Sequence, residues 1–302
     1  MNEISNESDT GNPYTIILFY KYTHIENPNE FRDAQRKLCE KLGLTGRIIV
    51  AHEGINATLE GKTENINAYL NEFLGDLRFA DTHIKKSNGI GTAFPKLSVK
   101  SRREIVSLHL HEDFSPTEVT GVHLKPADLK QWFKDGKDFE IVDMRNDYEY
   151  SIGRFKGSVL PKLQNFRDVP RVLSELEPLK EKTVVAVCTG GVRCEKASGF
   201  LLKNGFKNVY QLDGGIVSYM QEYPGQEFEG SLYVFDKRIT MSFDSDEQHI
   251  VIGTCQKCNT SSERYVNCKW PECNKHFICC EICSENDGKS FCSEGCKEKM
   301  II

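Results

Sequence analysis

Residues 184–200 read VVAVCTGGVRCEKASGF, and the fold of the middle of the chain turns on how this stretch divides. Thr183 to Val187 is a short β-branched run, apolar enough to be buried on both faces as a central parallel strand must be. Cys188 ends it, a glycine-rich loop follows, and a helix is expected from Arg193 to Lys203. That order puts Cys188 at the C-terminal edge of a sheet, where open α/β folds hold ligands. Thr189, Gly190, Gly191 and Val192 then form a loop whose backbone N–H groups can turn inward, and the next helix presents its positive end. Both favour an anion. A cysteine so placed exists largely as thiolate and is the candidate nucleophile, with Arg193 adding a fixed positive charge. The plainer reading is a structural cysteine before a turn. Cys194, one helical turn further on, either resolves an oxidised or persulfidated Cys188 or packs the helix against the sheet.

Outward from this loop the pattern alternates. Phe139 to Asp143 and Asn208 to Gln211 read as further strands, and helices fit Pro126 to Phe133, the run near Val169 to Leu179, and Gly215 to Tyr223. An α/β domain with a parallel sheet is expected over 126–225. Upstream, strands are expected at Tyr14 to Tyr20, Arg47 to His52 and Ile55 to Leu59, with short ones at Thr82 to Lys86 and Leu97 to Lys100. Helices fit Pro28 to Leu42 and Asn65 to Leu74. The order β-α-β-β-α-β is that of a ferredoxin-like α+β sandwich, over 13–105. Residues 1–12 read as a disordered tail, 106–125 as a linker, 226–250 as a connector containing the strand-like LYVF, and 251–302 as a cysteine-rich module.

The 302 residues are 39% hydrophobic and 27% charged, enough for two or three packed domains. A net charge of −5 excludes a uniformly basic nucleic-acid coat but leaves room for a local basic groove. From Ile84 to Arg103 there is no acidic residue, while Lys85, Lys86, Lys96, Lys100, Arg102 and Arg103 supply positive charge. They are candidate RNA phosphate contacts, or simply a solvated face. No apolar run approaches the roughly 18 residues of a membrane span, and the polar, acidic start is unlike a signal peptide, so a cytoplasmic location is expected.

Twelve cysteines in a reducing compartment point to metal or catalytic thiols. Nine lie from Cys255 to Cys296, as Cys255-x2-Cys258, Cys268-x4-Cys273, Cys280-x2-Cys283 and Cys292-x3-Cys296 with Cys279 beside Cys280. Zinc takes four thiolates tetrahedrally, so this set suits two structural zinc ions that stand in for a sparse apolar core. Unmetallated thiols or a redox switch are the alternatives, and spacing does not choose between Cys279 and Cys280. His111-Glu112-Asp113 has the His-x-Asp spacing of a non-haem iron site. In a polar stretch that pattern is mostly surface, and no iron is assigned. There is no dinucleotide-binding glycine pattern and no haem attachment motif.

Four residues separate Cys188 from Arg193, where a phosphatase loop has five. This C-x4-R loop, with the upstream VDMRNDYEYSIGRFKGS (142–158), resembles the rhodanese family. The resemblance implies that Asp143 and Arg145 help hold the loops around the site, a scaffold role rather than chemistry. Gly153 to Gly157 matches the family's Gly-x-x-x-Gly segment, but Arg154 stands where sulfurtransferases commonly have histidine. More of the chain resembles the bacterial tRNA uridine(34) hydroxylases: AHEGINATLEG (51–61), FPKLSVKSRREIV (94–106), CTGGVRCEKAS (188–198), YQLDGGI (210–216), LYVFDKRI (232–239) and the C-terminal cysteines. That resemblance implies oxygen-dependent conversion of the wobble uridine of tRNA to 5-hydroxyuridine. Cys188 would be the active residue, molecular oxygen the co-substrate, an unnamed species the oxygen activator, and the N-terminal domain the tRNA dock. A sulfurtransferase carrying a Cys188 persulfide and a non-catalytic adaptor are the competing functions.

Overall fold

The structure, a computed structural model, describes residues 12–110, 114–243, 249–273, 275–286 and 290–300. The tail expected over residues 1–11 and the His111-Glu112-Asp113 motif lie outside the described residues. The chain forms two compact units, one up to Ser107 and one from Leu108.

The first unit runs β1 (Tyr14–Tyr22), α1 (Pro28–Lys41), β2 (Thr45–Ala51), β3 (Gly54–Lys62), α2 (Thr63–Leu74), β4 (Lys85–Asn88) and β5 (Leu97–Ser101). Helix α1 starts where Asn27 accepts a hydrogen bond from the Glu30 N–H at 3.2 Å and Pro28 occupies the first turn, which has no need of its missing donor. The sheet order is β4-β1-β3-β2-β5, with β1 antiparallel to β3 and β4, and β2 antiparallel to β3. This is the expected ferredoxin-like arrangement extended by one strand, since β5 joins parallel to β2. Alternate residues Ile17, Phe19, Ile48, Val50 and Val99 pack under Leu38, Ile66, Tyr69 and Phe73 of the helices. Period-two alternation therefore turns Arg47 and Lys100 to the opposite face.

The second unit contains β6 (Val122–Leu124), α3 (Pro126–Lys134), β7 (Glu140–Asp143), α4 (Asp147–Tyr150), β8 (Gly153–Phe155), α5 (Leu173–Leu176), β9 (Thr183–Val187), α6 (Val192–Lys203), β10 (Asn208–Leu212) and α7 (Gly215–Glu222). A parallel sheet in the order β6-β10-β9-β7 carries β9 in its interior, as its unbroken apolar run requires. Two stretches differ from expectation. Strand β6 falls inside the segment read as a linker, because an edge strand of three residues with Val122 and His123 exposed leaves too little pattern to see. The helix expected near Val169 to Leu179 is broken into 3-10 turns at Phe166–Val172 and Glu177–Leu179 around the single turn α5. Pro170 and Pro178, which cannot donate to a helix, account for the breaks.

The segment read as a connector is also built into this unit. It forms β11 (Phe228–Gly230), paired antiparallel with β8, and the ribbon β12 (Leu232–Tyr233) with β13 (Thr240–Met241). The cysteine-rich end adds the hairpin β14 (Tyr265–Asn267) and β15 (His276–Ile278), then α8 (Glu281–Asn286) and α9 (Glu294–Glu298). Among the described residues no helix is long and apolar enough to cross a membrane.

Candidate active site and cysteine clusters

Strand β9 delivers Cys188 to a fully buried position. Gly191 adopts φ +98°, which lets its N–H turn back and donate to Cys188 Sγ at 3.2 Å. The start of α7 closes on the same loop, with Ile216 N–H donating to the Cys188 carbonyl at 2.9 Å and Val217 N–H to the Thr189 carbonyl at 3.0 Å. Only glycine fits at 215, because a Cβ there would lie 2.6 Å from Gly191 N and 2.7 Å from the Cys188 carbonyl. Burial alone pushes the Cys188 thiol up. A hydrogen bond from the Cys194 thiol, the Arg193 charge, and the N–H groups of Cys194 and Arg193 outweigh it and bring the group down to about 6. Cys194, buried and beside the new charge, is itself held well above the ordinary thiol value and so stays a donor.

Arg193 brings its positive charge to the loop as one half of a buried ion pair. Its guanidinium forks onto Glu149, with Nη1–Oε1 at 2.5 Å and Nη2–Oε2 at 2.8 Å, and also donates to Thr189 Oγ1 at 3.2 Å. Glu149 is fully buried. Burial works against its charge, yet the Arg193 guanidinium, Arg145 and the Asn146 N–H hold its carboxyl below the usual range. Glu149 was not singled out from the sequence. Its signal was the Asn146-x-x-Glu149 spacing of a capping box, of which the structure forms one arm, the Asn146 N–H donating to Glu149 Oε1 at 3.0 Å.

Asp143 and Arg145 form a second fully buried pair, Nη2–Oδ2 2.6 Å, and Arg145 also donates to the Gly153 carbonyl at 2.7 Å. They fasten the end of β7 to β8 and, among the described residues, their side chains hydrogen-bond to none of the Cys188 loop. Arg154 sits half-buried on β8, 3.4 Å from Glu229.

Eight of the nine clustered cysteines gather into two quartets, Cys255, Cys258, Cys280 and Cys283, and Cys268, Cys273, Cys292 and Cys296. Within each, all sulfurs lie within 4.8 Å of one another. The quartets interleave, the first pair of the sequence joining the third and the second the fourth. Three sulfur pairs lie 3.6 Å apart, Cys258 with Cys280, and Cys292 with both Cys273 and Cys296. That is close to the roughly 3.8 Å edge of a tetrahedron with ~2.3 Å metal–sulfur arms. Either quartet could hold a metal ion. Cys280 belongs to a quartet and Cys279 does not; Cys279 is buried beside it. His276 belongs to neither quartet, its Nδ1 lying 2.7 Å from Asn267 Oδ1 and its Nε2 3.2 Å from the Tyr233 hydroxyl.

The basic stretch does not form one patch. Lys85 is buried, its ammonium 5.4 Å from the Tyr20 ring centroid, and Lys86 lies near Asn67. Both belong to β4, at the far edge from β5, about 19 Å away at ~4.8 Å per strand. Lys96, Lys100, Arg102 and Arg103 are exposed at the β5 edge, and Arg47, missed in the sequence, is exposed on the adjoining β2.

A cysteine on a C-x4-R loop at the C-terminal edge of a parallel sheet defines a rhodanese-like domain, and residues 125–222 match the family model of that description. Residues 229–297 match one described as rhodanase C-terminal, and 14–105 one described as a UPF0176 acylphosphatase like domain. Across its length the chain is 46% identical over 285 residues to a tRNA uridine(34) hydroxylase of Cytophaga hutchinsonii, covering 94% of this chain and 90% of that protein. It is 44% identical over 289 residues to that of Bacillus velezensis, covering 94% and 88%, and 44% over 299 residues to that of Aster yellows witches'-broom phytoplasma, covering 98% and 94%. The chain belongs to the tRNA uridine(34) hydroxylase family.

The balance at Cys188 has a direct readout. Alkylation by iodoacetamide should rise through a midpoint near pH 6 and level off above it, because the thiolate is lost as pH falls through the lowered value. Cys194→Ala should move that midpoint upward by removing the strongest hydrogen bond to the thiolate. A wild-type midpoint near the ~8.5 of a free thiol would refute this account.

Proposed function

We propose that this chain hydroxylates uridine 34, the wobble uridine of tRNA, to 5-hydroxyuridine, with molecular oxygen as oxidant and the Cys188 thiolate as the reactive group. The observation that carries this reading is the near-full-length identity to tRNA uridine(34) hydroxylases together with an intact loop that lowers the Cys188 thiol to about 6. In it, the Gly191 amide and the Cys194 thiol hold the thiolate, Glu149 and Thr189 fix Arg193, and Asp143 with Arg145 serve as scaffold. Cys194, buried beside Cys188 and lowering its thiol, is assigned the resolving role: condensation with a Cys188 sulfenic acid gives a disulfide and water.

Nucleoside mass spectrometry on tRNA tests it. A strain lacking this gene should lose 5-hydroxyuridine, wild-type protein should restore it, and Cys188→Ser should not. Full restoration by Cys188→Ser would overturn the proposal. Rapid thiosulfate:cyanide transfer by purified protein, with no change in tRNA, would favour the persulfide carrier that shares the same cysteine.

Zinc is the proposed occupant of both quartets, because four thiolates at tetrahedral spacing suit a soft, redox-inert ion. Closed sites of this kind are structural. Elemental analysis of protein purified without chelator should find about two zinc per chain, as two four-cysteine sites require; less than about one would contradict it.

The proposed tRNA dock is the β5 edge, with Lys96, Lys100, Arg102, Arg103 and Arg47; Lys85 is left out because it is buried. Each cation that neutralises a phosphate releases counterions, so affinity falls with salt. Replacing Lys96, Lys100, Arg102 and Arg103 by alanine should weaken tRNA binding and flatten its salt dependence. Unchanged affinity at every salt concentration would place the dock elsewhere.

A further inference from the structure

Among the described residues, Phe235 is the one phenylalanine, tyrosine or tryptophan that is exposed, at 42%. A single exposed apolar side chain is ordinary. This one is distinguished by how firmly it is held and by what lies beside it.

The turn that carries it is clamped. Asp236, with its side chain 2% exposed, accepts from Arg238 Nε at 2.9 Å, Nη2 at 2.7 Å and backbone N–H at 3.0 Å. Val234 N–H donates to the Ile239 carbonyl at 2.8 Å, and Ile239 takes φ +63°, an uncommon conformation for a β-branched residue. From below, Tyr233 meets the Phe235 ring edge-on at 5.2 Å and rests in turn on Tyr148 at 5.2 Å and Tyr265 at 5.4 Å. The ring is thus fixed in place with one part left to solvent. Its neighbour is the site: the Arg193 guanidinium carbon lies 5.8 Å from the ring centroid. Exposed Lys237, two residues on from Phe235, adds a cation to the same turn.

We propose that Phe235 is the platform on which the target pyrimidine of the RNA stacks as it enters the Cys188 loop. A base must leave its stack before chemistry can reach its ring, and the enzyme must replace the stacking that is lost. Single-stranded bases are taken up on aromatic faces beside cations, because every base presents a π-face and its backbone a negative charge. A rigid ring loses little freedom on binding, which is the use of bracing a side chain that contributes little to the core. Cys188 is fully covered, whereas Phe235 is open, so the ring offers a base a resting place beside Arg193 outside the buried sulfur.

This inference rests on the hydroxylase reading and is tested apart from it. The probe is an anticodon stem-loop RNA with 5-iodouridine at position 34, irradiated on full-length protein and mapped by peptide mass spectrometry. Alongside it, KM and kcat are measured with unmodified tRNA, and melting curves check that each variant is folded. The expected crosslink is to the peptide containing Phe235, lost in Phe235→Leu and retained in Phe235→Trp. KM should rise about tenfold or more in Phe235→Leu, the size of one lost stacking contact, and stay near wild type in Phe235→Trp. Crosslinking elsewhere, with folded Phe235→Leu keeping its KM, would overturn this inference while leaving the hydroxylase reading intact. Failure of wild-type protein to hydroxylate tRNA at all would overturn both.

Discussion

The buried pair between Glu149 and Arg193 is the constraint on which the site depends. Taking two charges out of water costs several kcal/mol per ion, and only a well-formed, fully hydrogen-bonded pair offsets it. Here the fork is two-pronged, and the remaining carboxylate capacity is used by the Asn146 N–H at 3.0 Å and the Thr189 hydroxyl at 3.2 Å. The partners are 44 residues apart in sequence, so the pair ties α4, which follows β7, to the start of α6, which follows β9. Removing one partner of such a pair typically costs about 3–5 kcal/mol, because the other is left charged and buried.

That pair also changes how the thiolate must be explained. Asp143, Arg145, Glu149 and Arg193 are two acids and two bases, already neutral before Cys188 ionises. Arg193 still attracts the sulfur's charge, but Glu149 draws on the same guanidinium. The Cys194 thiol contributes most, the Arg193 charge next and the backbone N–H groups at the start of α6 after it, with the Gly191 N–H also donating to the sulfur. A loop of this design stabilises an anion by geometry, and geometry is what the glycines at 191 and 215 supply.

Much of this was legible in the sequence where a local rule has few competitors. An apolar run ending at Cys188, two glycines and a helix signal can hardly be arranged otherwise, and the β-α-β-β-α-β order of the first unit followed from strand and helix periodicity. What escaped depends on pairing at a distance. Glu149 reads as an ordinary surface glutamate until Arg193 is known to face it. Strand β6 is too short to show a period. Lys85 and Lys86 adjoin Lys96 and Lys100 along the chain, yet strand order sends them to opposite edges of the sheet. The four cysteine pairs follow one another so evenly that spacing alone cannot say they interleave.

The interleaving has a consequence for the loop. Cys268 follows β14 and Cys273 precedes β15, both in one quartet, while Cys280, just after β15, belongs to the other. Hairpin β14–β15 is thus pinned between the two proposed metal sites. From it Tyr265 donates its hydroxyl to the backbone carbonyl of Tyr148, and the His276 ring stacks on Tyr265 while its Nε2 lies 3.2 Å from the Tyr233 hydroxyl. Tyr148 immediately precedes Glu149, and Tyr233 supports Phe235. A metal closed in by four thiolates has no open position with which to meet a substrate. The aromatic stack is one route by which the hairpin braces the residues around Arg193, beside the Ser231 hydroxyl that donates to Glu263 at 2.8 Å.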